Sequence, residues 1–320
     1  MSKLRVGVLR GGPSSEYEVS LKTGASVLKN LSRQQFEPKD IFISRDGLWH
    51  LGGVPIWPEQ AAEQVDIFFN ALHGEYGEDG QVQRLLTNLE RPFTGPEEIS
   101  ALASINKPLA KSLLAKAGIK VAPTFTLVAR ANNREAAKQV FNKLPPPWVV
   151  KPADRGSSFG LSLAKSFDEL VAAIAGAGAY SQQILIEPYL PGREATVGVI
   201  DNFRGQGVYP LMPVEIRRPN NSPLWHHQHR YSGETTHLCP ASFDTKDKSQ
   251  LEALAVLAHE TLGLRHYSRS DFIVSPRGIY LLEVDALPSL TEHCALPQAL
   301  QASGANTADF LTHIINQALK

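Results

Sequence analysis

The stretch Arg269-Ser-Asp-Phe-Ile-Val-Ser-Pro-Arg-Gly-Ile-Tyr-Leu-Leu-Glu-Val-Asp285 limits what this chain can fold into more than any other. Within it, Ser275-Pro276-Arg277-Gly278 has Pro at the second turn position and Gly where φ turns positive. That pattern predicts a three-residue hairpin loop closed by a glycine bulge. In this register Ser275 faces Ile279, Asp271 faces Glu283 and Arg269 faces Asp285. Period-two alternation puts Arg269 with Asp271 on one strand face, and Glu283 with Asp285 on one face of the other strand. Like charges directly opposed destabilise a strand pair. Carboxylates converging there ask for a cation, and oxygen donors without thiolate or paired His select Mg²⁺ or Mn²⁺. A solvated face on which Arg269 neutralises one acid is the competing reading.

The first hundred residues alternate strand and helix signals. Strands are predicted at Leu4–Leu9, Asp40–Ile43 and Val65–Ala71, with Ser15 as the N-cap of a helix running to about Leu31. The third strand runs into His73-Gly-Glu-Tyr-Gly-Glu-Asp-Gly80 and a helix over Gln81–Asn88. This repetition predicts a parallel sheet with ligands at the strands' C-terminal ends. Farther on, helices are predicted at Lys107–Ala117, Asn133–Leu144, Phe167–Ala175, Lys248–Leu262 and Thr307–Ala318. Strands are predicted at Thr124–Val128, Trp148–Pro152 and Gln183–Pro188. The whole reads as an α/β fold, α+β in part. It divides into an N-terminal parallel-sheet domain (1–100) and two mixed α/β domains, central (101–187) and C-terminal (188–320).

Composition narrows the function classes. Lys plus Arg and Asp plus Glu are both 32, so no global basic field draws the chain to nucleic acid or anionic lipid. The two cysteines, Cys239 and Cys294, make neither a disulfide framework nor a four-thiolate metal site, which points to a reducing compartment. The short apolar run before Gly11 reads as a buried strand and not as a signal peptide, and no stretch approaches the roughly 18 apolar residues of a membrane span. A cytoplasmic protein is expected.

Two further elements suggest a nucleotide. Lys151 ends a strand and is followed by Gly156-Ser157-Ser158-Phe159-Gly160, a loop able to turn N–H groups and hydroxyls toward anionic oxygens. It lacks the Gly-Lys-Ser/Thr ending of a Walker loop. Glu187-Pro-Tyr-Leu-Pro-Gly-Arg-Glu194 places two acids across a bent linker, one suited to an adenine amino group and the other to ribose hydroxyls. Taken alone, each element reads more readily as an ordinary surface loop or interdomain linker; their order is what carries weight.

Lysine, glycine loop, acidic linker and carboxylate hairpin follow one another as in an ATP-grasp enzyme. Over nearly its whole length the sequence resembles the D-alanine–D-alanine ligases. The resemblance rests on Gly11-Gly-Pro-Ser-Ser-Glu-Tyr-Glu-Val-Ser-Leu21, the 73–80 loop, Lys151-Pro with Gly156-Ser-Ser-Phe-Gly160, Arg269-Ser-Asp-Phe, and Leu282-Glu-Val-Asp-Ala-Leu-Pro-Ser-Leu-Thr291. It implies an ATP-grasp fold in which Lys107, Lys151 and Ser158 meet ATP phosphates, Glu187 the adenine side and Glu194 the ribose. Asp271, Glu283 and Asp285 would hold two Mg²⁺ ions, with Mn²⁺ as a substitute. Glu16 would hold the ammonium of a first D-alanine, with His73 nearby, and Ser157 and Tyr231 would join Glu16 in a lid network. Arg269 and the Ser289 N–H would stabilise an oxyanion, and Cys294 and Ala295 would face the second substrate. The implied reaction phosphorylates one D-alanine carboxylate and joins it to a second D-alanine for peptidoglycan. A homodimer is implied as well.

Several positions depart from the family pattern. Asp285 stands where asparagine is usual, Ser289 where glycine is usual, Cys294 where serine is usual, Ala295 where a larger apolar residue is usual and Arg230 where lysine is usual. A positive φ at Ser289 would be strained. These departures keep two other functions in view: a ligase joining D-alanine to D-serine, D-lactate or another amino acid, and a nucleotide-binding relative without catalysis. Tyr231 argues against D-lactate, because depsipeptide-forming relatives usually replace that tyrosine. The histidine-rich run at 226–229 reads as a polar lid in preference to a metal site.

Overall fold

The computed structural model describes residues 3–129, 132–156, 158–219, 222–225 and 234–320. Ser157, Arg230, Tyr231 and the histidine-rich run therefore lie outside the described residues.

The N-terminal part contains β1 (Leu4–Gly11), α1 (Tyr17–Asn30), β2 (Phe36–Ile43), β3 (Trp49–Leu51), β4 (Val54–Ile56), α2 (Pro58–Glu63), β5 (Ile67–Asn70), α3 (Gln81–Asn88), α4 (Glu98–Ile105) and α5 (Lys107–Lys116). Next come β6 (Phe125–Val128), α6 (Asn133–Phe141), β7 (Trp148–Pro152), β8 (Ser162–Ala164), α7 (Phe167–Gly178) and β9 (Gln183–Pro188). The remainder is β10 (Arg193–Asp201), β11 (Val208–Pro210), β12 (Val214–Arg217), β13 (Thr236–Leu238), α8 (Thr245–Thr261), β14 (Tyr267–Ser275), β15 (Gly278–Asp285), α9 (Ala295–Ala302) and α10 (Thr307–Ala318).

Three sheets result among the described residues. The first has the order β4-β3-β2-β1-β5. Here β1 pairs in parallel with β2 and β5, and its centre is buried on both faces, as an interior parallel strand requires. The expectation of a parallel sheet holds for these strands only: β3 and β4 add an antiparallel edge, joined through Gly52-Gly53 with both φ positive. Both later sheets are antiparallel: the second has the order β6-β9-β7-β8, and in the third β13-β12-β10-β14-β15 carries β11 on β10.

Ser15 does not cap α1. Glu16 occupies the N-cap position without a side-chain cap bond. The Ser14 and Ser15 hydroxyls turn instead toward Glu75 of the 73–80 loop, at 2.9 and 3.4 Å. At the end of β1, Gly11 has φ +93°, and a Cβ there would lie 2.2 Å from the Ile43 carbonyl oxygen. No other residue fits that close approach.

The cores show which parts are packed together. Val6, Val8 and Val27 share a cluster with Ile200, Leu211, Leu296 and Phe310, so the first and third sheets are packed through common apolar side chains. Ala110 and Leu114 of α5 pack with α8, β14 and β15. The second sheet keeps its own core around Trp148, Val150, Ile174 and Ile184.

A polar clamp reinforces the first union. Arg265 pairs with Glu97 and donates to the carbonyls of Gly95 (2.7 Å) and Phe93 (3.2 Å). The Gly95 N–H donates to His266 Nδ1 at 3.0 Å, which requires that nitrogen to be unprotonated. Burial, helped by the Arg265 charge, pushes the His266 imidazole down from 6.5 to about 4. The unfolded chain thus takes up a proton that the folded chain refuses. Stability is complete above about pH 6.5 and is lost as pH falls toward 4. The loss amounts to roughly 3 kcal/mol at most. His266 has φ +70°, a conformation that Asn adopts readily. His266→Asn is therefore expected to flatten the fall in urea-unfolding stability between pH 6.5 and 4; an unaltered slope would show that other groups set it.

Candidate active site

The hairpin β14–β15 carries Arg269, Asp271, Glu283 and Asp285, and its register has two parts. The turn holds two residues, not three, because Ser275 pairs with Gly278 and Val274 with Ile279. Gly278 still takes the positive φ, +111°. A β-bulge then inserts Leu282 between the Phe272–Leu281 and Asp271–Glu283 pairs. The bulge restores the offset that the shorter turn removed, so Asp271 faces Glu283 and Arg269 faces Asp285. Bulges re-aim side chains near functional sites in this way.

Cations hold these acids. The Arg269 guanidinium grips Asp271 with Nε and Nη2 at 2.9 and 3.0 Å and reaches Asp285 at 3.2 Å. Thr196 donates to Asp271 at 2.6 Å. Lys107 Nζ lies 3.6 Å from Glu283. Burial alone would lower the Arg269 pKa, but Asp271 and Asp285 outweigh it and raise it well above its usual value. Arg269 is a fixed positive charge.

Two pockets meet here and share a wall. Lys107, Trp225 and Glu283 line both. One pocket gathers Glu16, His73, Arg269, Asp285, Ser289, Cys294 and Ala295. The other is a slot with Lys151, Ser158, Glu187 and Glu194 among apolar walls that include Val149, Phe159, Leu190 and Ile273. Asp271 lines neither; it lies behind Arg269 at 2% exposure.

In the first pocket, residues from all three parts of the chain touch. Gly156 packs so closely on Glu16 that a Cβ would sit 2.4 Å from Oε1. Arg155 beside it pairs with Glu75. His73 Nε2 lies 2.8 Å from Thr23 Oγ1, which lies 3.1 Å from Ser289 Oγ. The chain continues from Ser289 to Thr291 (3.4 Å) and from Thr291 to Cys294 Sγ (3.0 Å). Ser289 is not among the positive-φ residues, so its backbone bears no such strain. Its hydroxyl instead completes this link. Burial lowers the His73 pKa despite the nearby Glu16 and Asp285, so the ring is neutral at pH 7. Glu78, 3.2 Å from His73 Nδ1, is pushed well above the carboxylate range by burial and then by Asp285.

In the slot, the Glu187 carboxylate is enclosed by cations. Lys111 pairs with it closely, Lys151 lies 3.1 Å away, and Thr124 donates at 3.2 Å. Burial would raise the Glu187 pKa, yet the two lysines hold it at about 2. Glu194 has Arg218 at 3.7 Å. Lys107 donates to the Arg155 carbonyl at 2.5 Å.

Thr23, Glu78 and Lys111 were not singled out from sequence, although signals existed. Thr23 shares a helical face with Glu16 and Ser20, and Lys111 follows Lys107 by four residues. Among the described residues, no three His, Cys, Asp or Glu side chains are gathered closely enough to hold a metal ion. The hairpin donors are nonetheless all hard carboxylate oxygens, a set whose chemistry fits Mg²⁺.

Comparison with known proteins identifies this arrangement. The D-ala D-ala ligase N-terminus family model matches residues 5–56 and 53–96, and the D-ala D-ala ligase C-terminus model matches 113–316. The chain belongs to the D-alanine–D-alanine ligase family. A D-alanine–D-alanine ligase of Geobacter sulfurreducens is 36% identical over 98% of this chain and 94% of its own length. The Bacillus anthracis D-alanine–D-alanine ligase, solved as a complex with ATP, superposes with TM-score 0.81 at 26% identity, covering 99% of this chain and 97% of that one. VanG, a D-Ala:D-Ser ligase from Enterococcus faecalis, gives 0.86 at 25% identity, covering 99% and 100%. The three-sheet α/β architecture is thus the ATP-grasp fold of this ligase family.

Removing Arg269 from this site tests its structural share. Arg269→Ala takes from buried Asp271 its bidentate cation, and breaking such a pair costs about 3–5 kcal/mol. Urea unfolding is expected to show that loss, while a change under about 1 kcal/mol would mean that Asp271 is readily rehydrated or protonated.

Proposed function

We propose that the chain joins two D-alanines at the expense of ATP, forming D-alanyl-D-alanine for peptidoglycan precursors. The observation that carries this reading is the meeting of a basic, apolar-walled slot with a pocket lined by Glu16, His73 and Arg269, at Lys107 and Glu283. A phosphoryl group held in the slot would there face a carboxylate held in the pocket.

ATP lies in the slot in this reading, its phosphates toward Lys107, Lys151 and Ser158, its ribose toward Glu194 and its adenine toward the Glu187 end of β9. Glu16 receives the ammonium of the first D-alanine, and neutral His73 lies beside it. An oxygen of that D-alanine's carboxylate attacks the γ-phosphorus, and the bond to ADP breaks. The amine of the second D-alanine then attacks the acyl-phosphate carbonyl. Arg269 and the Ser289 N–H stabilise the oxyanion, the tetrahedral centre collapses with loss of phosphate, and the attacking nitrogen gives up a proton. Ser157 and Tyr231, which the family resemblance assigns to a water-excluding network with Glu16, lie outside the described residues.

Glu283 and Asp285, on the pocket wall, with Asp271 behind Arg269, are the residues that would hold two Mg²⁺ ions, or Mn²⁺ in their place. Bound there, such ions neutralise phosphate charge. In the structure Lys107 and Arg269 meet the charges of Glu283 and Asp285 themselves.

Cys294 and Ala295 are assigned to the second substrate. Cys294 is the N-cap of α9, and its thiol, near Thr291, is a weaker donor than a hydroxyl. No helix among the described residues is long and apolar enough to cross a membrane. A cytoplasmic homodimer acting without nucleic acid completes the proposal.

Phosphate release from ATP and Mg²⁺ with D-alanine alone, read with the product mass, tests this reading. D-alanyl-D-alanine is the expected product. Phosphate without that dipeptide, followed by a mixed product when D-serine is added, would assign the second pocket to a different acceptor. Nucleotide binding without phosphate release under any amino acid would leave a non-catalytic binder.

A further inference from the structure

Lys111 is a buried charge that the reaction above does not use. It is 4% exposed and lies on the same face of α5 as Lys107, yet it does not line the slot. Its ammonium is spent on Glu187, itself 3% exposed. Glu187 also pairs with Lys151, which does line the slot, at 3.1 Å. One buried carboxylate therefore stands between two lysines, of which only Lys151 reaches the slot.

This arrangement has a consequence for any polyanion entering the slot. Phosphate oxygens draw the Lys151 ammonium toward themselves and away from Glu187. A buried carboxylate that loses its only cation is strongly destabilised. Glu187 is spared this, because Lys111 stays behind it and Thr124 still donates to it at 3.2 Å. Burial lowers the Lys111 pKa and Glu187 opposes that shift, so the two charges support each other.

We propose that Lys111 is a positioning residue for phosphate capture, holding Glu187 so that Lys151 is released to the nucleotide. The inference rests on the nucleotide reading of the slot. Without Lys111, Glu187 would keep Lys151 for itself, and binding of the phosphates would have to break the remaining pair. The deficit falls on ATP affinity and not on the chemical steps, since Lys111 touches neither pocket.

Calorimetric titration of ATP with Mg²⁺, paired with steady-state kinetics, tests this. Lys111→Met is expected to weaken ATP binding by about tenfold or more, with kcat at saturating ATP within about threefold of the parent. Repeated in a Glu187→Gln background, which lacks the carboxylate that traps Lys151, Lys111→Met is expected to cost ATP affinity less than about threefold, since any loss from the adenine side is common to both proteins compared. A general packing defect would cost the same in both backgrounds. Unaltered affinity in Lys111→Met, or an equal loss in the Glu187→Gln background, overturns the proposal. If Lys111→Met does not fold, Thr124→Val poses the same question with a near-isosteric change. Its ATP affinity is expected to fall by about threefold with kcat preserved, and an unaltered affinity overturns the proposal. A parent protein that binds no ATP would remove the nucleotide reading itself, whereas parent binding with no effect in these variants removes only the role of Lys111.

Discussion

The pairing of Arg269 with Asp271 on a bulged hairpin is the constraint on which the rest of the site depends. Asp271 is buried, and Arg269 satisfies it while reaching across the ladder to Asp285. Without the bulge at Leu282, Glu283 and Asp285 would shift by one residue and point to the opposite face of the sheet. The same hairpin supplies Phe272, Leu281 and Val284 to the core shared with α5 and α8. Charge placement and core packing are thus fixed by one register.

Around that hairpin the chain divides by how its parts are joined. The first and third sheets share a core and the Arg265–His266 clamp, so Glu16, His73, Arg269 and Ser289 sit on a common support. The second sheet has its own core and reaches the pocket through Arg155 and Gly156, and through the lysine–carboxylate cluster at Glu187. The contacts at that junction are mainly polar, where those between the first and third sheets include a shared apolar core.

Long periodic elements were legible in the sequence: β7, β9 and α10 fall where residue pattern alone places them. The hairpin partners were legible too, although for an incomplete reason. A proline–glycine turn suggests its own length, whereas the compensating bulge arises from tertiary packing and leaves no local signature. The β3–β4 edge was missed despite its Gly52-Gly53 turn, because three-residue strands carry almost no periodicity. Helix α9 was missed because Pro297 reads as a breaker; in the first turn of a helix its absent N–H is not needed. Glu16, His73, Arg269 and Ser289, which the motifs single out, line one pocket. The environment that makes His73 neutral and encloses Glu187 depends on residues far apart in the chain, which spacing cannot reveal.

In the proposed function the β15 carboxylates, neutralised in this structure by Arg269 and Lys107, would seat a metal–nucleotide complex. The most direct measurement is ATP affinity with and without Mg²⁺, compared between the parent protein and Glu283→Gln. Mg²⁺ is expected to strengthen ATP binding by about tenfold or more in the parent, and most of that gain should vanish in the variant. An equal gain in both proteins would place the metal elsewhere and contradict the account.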